Sequence, residues 1–178
     1  MERLWAPWRA QYVREGSQRE KAESGCFLCE GLAAPESEDR DHLVVWRRPH
    51  SIVVLNRFPY NNGHMLVAPI VHRGTLGELS GEDLTEPVET LKQVIAILDR
   101  MIRPQAYNVG LNQGKAAGAG LPGHLHWHVV PRWDGDTNFM PILSHTKVIV
   151  ENLLEFYDRF VAELSGSGNE NVDPRLSQ

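Results

Sequence analysis

Residues 123–133 read GHLHWHVVPRW and set three of the chain's eight histidines, His124, His126 and His128, on alternate positions. Side chains two apart on a β-strand share a face. The spacing therefore predicts a strand with a row of imidazoles on one side and Leu125, Trp127 and Val129 on the other. Such a row is either an exposed polar strand face or a binding site. As a site it admits two chemistries. His-x-His on a strand holds metal ions, with another histidine or a carboxylate completing the set. A neutral imidazole nitrogen is also a nucleophile near neutral pH and attacks phosphorus to give a covalent phosphoramidate. The segment just before the row, QGKAAGAGLPG (113–123), favours the second reading, because glycine-rich backbone can donate N–H groups to phosphate oxygens.

Working outward, LVVW (43–46), SIVVLN (51–56) and HMLVAP (64–69) are short runs rich in β-branched residues. RFPYNNG joins the last two and supplies Asn61-Asn62-Gly63 for a turn, so they read as an antiparallel hairpin. Residues 80–104 read as a helix with Ser80 or Thr85 as cap, Pro87 in the first turn and Pro104 as the stop. Its apolar stripe is Val88, Leu91, Val94, Ile95, Leu98 and Ile102. AYNVGLN (106–112) reads as a further strand. A last helix near 150–164 aligns Leu153, Leu154, Tyr157, Phe160, Val161 and Leu164. Polar residues 14–25 and 31–41 read as loops. The order of elements indicates an α+β fold on an antiparallel sheet.

At 178 residues the chain fits one domain, expected over 1–164 with an N-terminal arm at 1–25 and a disordered tail at 165–178. The net charge of −5 argues against broad binding to nucleic acid, while leaving room for a small anionic ligand. No apolar run approaches the roughly 18 residues of a membrane span. The first residues lack the apolar core of a signal peptide. The two cysteines form CFLC, Cys26 and Cys29, a spacing that suits a metal clip or redox pair in a reducing compartment. A cytoplasmic location is expected.

His124-Leu125-His126-Trp127-His128-Val129-Val130 resembles the signature of the histidine triad (HIT) superfamily. The hairpin matches too, with Asn56, Pro59, Gly63, His64, Leu66, Val67 and Pro69 in the family's pattern. LWAPWRAQYV, GCFLCE and the triad followed by PRWDGDTNF, with HTKVI after it, resemble the branch of bacterial diadenosine tetraphosphate phosphorylases and fragile-histidine-triad-like hydrolases. The resemblance implies the histidine triad fold, with a long central helix and a C-terminal helix, and a homodimer. It implies a nucleotidyltransferase of the ATP adenylyltransferase (phosphorylase) type, or a nucleotide hydrolase, acting on dinucleoside polyphosphates. Cleavage at the α-phosphorus would pass through a nucleotidyl-histidine, resolved by phosphate or water.

In that scheme His126 is the nucleophile and His128 bonds phosphate or the leaving oxygen. Asn56 contacts ribose or base, Asn112, Gln113 and Gly114 contact phosphates, and Trp133 lies against substrate or serves packing alone. Relatives with CxxC bind a structural zinc, which here implies Cys26, Cys29, His72 and His124, with no organic cofactor. Many members also carry a serine or threonine hydroxyl before the triad, whereas Ala117-Gly118-Ala119-Gly120-Leu121-Pro122 has none, so leaving-group assistance must come from His128, Lys115, backbone or elsewhere. Among the remaining histidines, His42 and His50 read as surface residues and His64 as a buried, hydrogen-bonded one. His145 has no evident partner. Two other readings compete: a nucleotide sensor without turnover, and a metalloenzyme using the histidine row as ligands.

Overall fold

The apolar runs on either side of RFPYNNG pair as the sequence predicts. In the computed structural model, which describes residues 25–137, 149 and 151–167, β2 (Ser51–Leu55) lies antiparallel to β3 (Met65–Pro69), with Leu55 opposite Met65. Every residue of both strands is buried, which explains why all of them but Ser51 are apolar. With β1 (Val44–Arg47), β4 (Ala106–Leu111) and β5 (Trp127–Arg132) they form one antiparallel sheet in the order β1-β2-β3-β5-β4. Four α-helices complete the described chain: α1 (Phe27–Ala33), α2 (Asp39–His42), α3 (Glu82–Ile102) and α4 (Leu153–Ser167). The architecture is α+β, as expected. No described helix is long and apolar enough to cross a membrane.

The sheet has two unlike faces. Ser51 Oγ bonds Glu86 and Thr90 of α3 at 2.8 and 2.9 Å, and Tyr107 Oη donates to Asp99 at 2.8 Å. These bonds seat α3 on the face that carries Val53, Val67, Trp127 and Val129. Because side chains alternate, the opposite face takes His128, Val130 and Arg132 from β5 and Asn108 and Gly110 from β4. The register sets Gly110 opposite His128.

Four expectations need correction. First, the strand starts at Trp127 rather than Gly123. The Leu125 N–H is taken by Arg73 O at 2.6 Å, so His124 and His126 lie ahead of the ladder and the three imidazoles do not form one row. Second, α3 is capped by neither Ser80 nor Thr85. Gly81 stands at its N-cap with φ 54°, Glu82 and Asp83 oppose the dipole in the first turn, and Pro87 sits deeper inside the helix. Its buried stripe is turned toward Thr90 and Ile97, leaving Val88 exposed. The buried Thr90 hydroxyl is satisfied by Glu86 O and Ser51, so a polar residue belongs to the core stripe.

Third, residues 31–41 are not simply loop, since α1 ends and α2 forms there. Arg47 donates to the carbonyls of Gly31, Leu32 and Ala34 at 2.7–3.1 Å and pairs with Asp39. A guanidinium from β1 thus caps the orphan carbonyls of α1, a tertiary cap invisible to local composition. Fourth, α4 begins at Leu153, where Asn152 Oδ1 accepts from the Leu154 N–H at 2.9 Å. It runs to Ser167, into the expected tail, and it buries Phe156 and Phe160 while Leu154 faces outward. The arm to residue 24, His145 and the HTKV (145–148) of HTKVI lie outside the described residues, as does the tail from residue 168.

Candidate functional site

The three histidines of the opening segment separate into two neighbourhoods. His124, fully buried, points its Nδ1 at Cys26 Sγ (3.3 Å) and Cys29 Sγ (3.5 Å). The other edge, Nε2, faces Pro69 O at 2.8 Å. A carbonyl only accepts, so the proton sits on Nε2 and the Nδ1 lone pair is directed at the sulfurs. His72 Nδ1 approaches Cys29 Sγ at 3.2 Å. The ligand atoms of Cys26, Cys29, His72 and His124 all lie within 4.8 Å of one another, the only such set among the described residues. The His72 and His124 rings meet edge to face at 5.0 Å.

These residues fit a metal on chemical grounds. Two sulfurs and two imidazole nitrogens are the donors of a closed tetrahedral site, and the tautomer of His124 is the one ligation at Nδ1 requires. Burial and then the Cys26 hydrogen bond push the Cys29 thiol up to about 11. A bound cation is what would bring such a thiol to thiolate at neutral pH.

His126 and His128 form the second neighbourhood, with ring centroids 5.1 Å apart. His126 Nδ1 lies 2.8 Å from the His124 carbonyl. That contact places the proton on Nδ1 and leaves the lone pair on Nε2. Burial holds this imidazole below its ordinary pKa, so it is neutral at pH 7.

The tautomer of His128 follows from a chain that starts at a backbone amide. The Tyr60 N–H donates to His64 Nδ1 at 3.0 Å, so His64 carries its proton on Nε2. His64 Nε2 lies 2.9 Å from His128 Nδ1, which must therefore accept, and His128 presents an N–H from its Nε2. The Asn56 amide also reaches His64 Nδ1 at 3.2 Å, while its oxygen accepts from the Phe58 N–H. His64 is thus the buried, hydrogen-bonded residue expected, but its role as the partner of His128 is new. No local pattern points to a partner 64 residues away.

Burial, reinforced by the nearby His126, pushes His128 down to about 4. The unfolded chain would protonate this residue near 6.5, so between about 6.5 and 4 the unfolded state binds the extra proton. The contribution of His128 to stability is complete above pH 6.5 and declines as pH falls through that window, by a few kcal/mol in total. NMR of the imidazole nitrogens should find the Nε2–H tautomer unchanged at pH 5.5. Unfolding titrations should show a steeper acid loss in the native chain than in His128→Asn. A His128 midpoint near 6.5 would break this account.

The glycine-rich segment leaves β4 and folds into a short 3-10 turn over Lys115–Ala117, bracketed by Gly114 (φ 83°) and Gly118 (φ 88°). Both torsions lie where a side chain is strained, so the turn needs glycine at its two ends. Gln113 Oε1 accepts from the Leu76 N–H at 2.8 Å, which ties this turn to the segment after His72. An open groove of about 460 Å³ runs beside His128, bounded by Tyr60, Asn61, Asn112 and Arg132 among others. Trp133 is half-buried beyond the end of β5 and does not line it.

The family model described as the HIT domain matches residues 37–135. The chain belongs to the HIT family. An AP-4-A phosphorylase of Mycobacterium tuberculosis is 37% identical over 86% of this HIT chain and 79% of its own length. A bis(5'-nucleosyl)-tetraphosphatase (asymmetrical) of Schizosaccharomyces pombe is 28% identical over 71% of this chain and 65% of its own. Among solved structures, a Zn-bound histidine triad family protein from Mycobacterium smegmatis aligns over 81% of this chain and 96% of that one, with a TM-score of 0.62 at 22% identity. That last likeness speaks for the histidine triad fold.

Proposed function

We propose that this HIT protein cleaves dinucleoside polyphosphates of the diadenosine tetraphosphate type at the α-phosphorus, with His126 as nucleophile. One observation carries the reading: His126 is neutral and tied at Nδ1 to the His124 carbonyl, which leaves the Nε2 lone pair for attack. The names of the M. tuberculosis and S. pombe relatives supply the substrate class.

In the first step Nε2 forms an N–P bond and the P–O bond to the departing nucleotide breaks, its electron pair staying on oxygen. The adduct is a cationic imidazole whose Nδ1–H remains on the carbonyl. His128, a fixed donor through Nε2–H, bonds a phosphate oxygen. It does not relay a proton, because its Nδ1 is already filled by the His64 proton and His64 is locked by the Tyr60 amide. The departing group needs none: a terminal phosphate with a pKa of about 6 leaves as an oxyanion. This accounts for a glycine turn without a hydroxyl. In the second step phosphate or water attacks the same phosphorus and releases His126.

Asn112, Gln113 and Gly114 would set the phosphates, with Gln113 anchored on Leu76. Asn56 would face the ribose of the transferred nucleotide, and Trp133 would flank the substrate. Cys26, Cys29, His72 and His124 would hold a structural zinc that fixes the orientation of the strand entry. We also propose a single cytoplasmic domain that pairs as a homodimer through the edge strand β4, whose outward residues include the exposed Val109. The metalloenzyme reading loses support because His124 turns away to the thiols while His126 is tied to a carbonyl. A pure sensor has no need of the free Nε2 lone pair.

Incubation with diadenosine tetraphosphate, with and without inorganic phosphate, tests the reading through its products. ADP plus ATP formed only with phosphate marks a phosphorylase. AMP plus ATP marks a hydrolase acting at the α-phosphorus, whereas two ADP would place the cleavage at the β-phosphorus and overturn the proposed attack. No product under either condition would overturn it.

A further inference from the structure

Gly110 occupies the middle of β4, where glycine weakens a strand and the fold gives it no employment. Its φ is not in the left-handed region, and a Cβ built on it would meet nothing within 4 Å. What the missing side chain leaves is a bare length of strand directly opposite His128, on the floor of the groove. Beside it the floor is Val130, 7% exposed. The wall is the Tyr60 ring, 40% exposed, 5.8 Å from the His128 ring and only 15° from parallel. At the far end Arg132 bonds Asp136 at 2.6 and 3.0 Å and Asn108 at 2.7 Å. Its charge is matched by a carboxylate within the protein, so this end is polar without being a phosphate site.

An apolar floor, an aromatic wall and a neutral polar end suit a nucleoside, with phosphates entering at the His128 end. Neither His126 nor Asn56 lines the groove, so it diverges from the place of the transferred nucleotide. We propose that this groove holds the nucleoside of the departing nucleotide, with Gly110 and Tyr60 as its specificity-determining residues. The proposal rests on the cleavage reading above, and its test separates the two.

Two ligands lacking the scissile bond serve as probes of the full chain by calorimetry. One is the bis(α,β-methylene) analogue of diadenosine tetraphosphate. The other is α,β-methylene ATP, which has the first nucleoside and phosphates but no second nucleoside. Gly110→Val, which fills the floor with a good strand former, and Tyr60→Ala, which removes the wall, should each weaken the dinucleotide at least about tenfold, the scale of one lost base–aromatic contact. Both should leave the ATP analogue within about twofold, and thermal unfolding of Gly110→Val should match the native chain.

Equal weakening of both ligands would overturn the proposal, since the groove would then belong to the transferred nucleotide or Tyr60 would merely support His128. Unchanged binding of both ligands in both variants would overturn it as well. A native chain that binds the two analogues equally well keeps the cleavage reading and removes the second nucleoside subsite. One that binds neither removes both.

Discussion

His126→Ala is expected to lower turnover of diadenosine tetraphosphate by at least about four orders of magnitude while leaving the fold intact. The imidazole is the only group proposed to bond phosphorus, and removing the member of a covalent mechanism that forms the bond costs far more than removing one that orients it. His128→Gln should cost less, about two to three orders, because an amide still donates toward phosphate without matching the fixed Nε2–H. His64→Phe should act through His128: it removes the Nε2–H that His64 donates to His128 Nδ1, releases the tautomer and alters the pH profile of kcat. Its readout is therefore the profile as well as the rate. Intact-mass measurement of the native chain with substrate and no phosphate should reveal a nucleotidyl adduct, absent in His126→Ala. With His126→Gly, added imidazole should restore part of the rate by occupying the vacated space. Full activity in His126→Ala, or an adduct that survives that substitution, would end the proposed mechanism.

Much of this arrangement is legible in sequence because it is periodic or spaced. Unbroken β-branched runs mark β2 and β3, Asn61-Asn62-Gly63 marks their turn, and CFLC marks one half of the sulfur and imidazole cluster. The rest depends on contacts that cross the chain. His64 reads as a buried histidine at the start of a strand, and only the pairing of β3 with β5 brings it to His128. Arg47 reads as a charge at the end of β1, yet it completes the C-terminus of α1 and so fixes the helix that carries Cys29. The alternation of His124, His126 and His128 suggests equivalence, but Arg73 O claims the Leu125 N–H and delays the strand, so a shared spacing yields unlike roles. Period-two patterns report a face only where the ladder exists. A segment just outside it is governed by whichever backbone and side-chain partners are nearest.

Stripping the metal should separate the two neighbourhoods experimentally. The native chain is expected to carry one zinc, and strong chelation or Cys29→Ser should lower stability by several kcal/mol, on the scale of a structural site in a domain with its own core. For a chain of this size each kcal/mol shifts Tm by roughly 2–4 °C, so a fall of about 10 °C or more is the expected reading. The loss should reach the chemistry indirectly. His124 is held by Pro69 O on one edge and the sulfurs on the other, and its carbonyl receives the His126 Nδ1–H. Once the sulfur side lets go, that carbonyl loses its reference and His126 its fixed orientation, so kcat should drop while KM changes little. Replacing zinc by cobalt decides the matter. A structural ion should give the thiolate-to-cobalt absorption of a sulfur-ligated tetrahedral site and leave turnover within about twofold, because no reacting atom touches it. A large change in kcat with the identity of the metal would mean that the ion takes part in the reaction, whereas full stability after complete removal would mean that the cluster holds none.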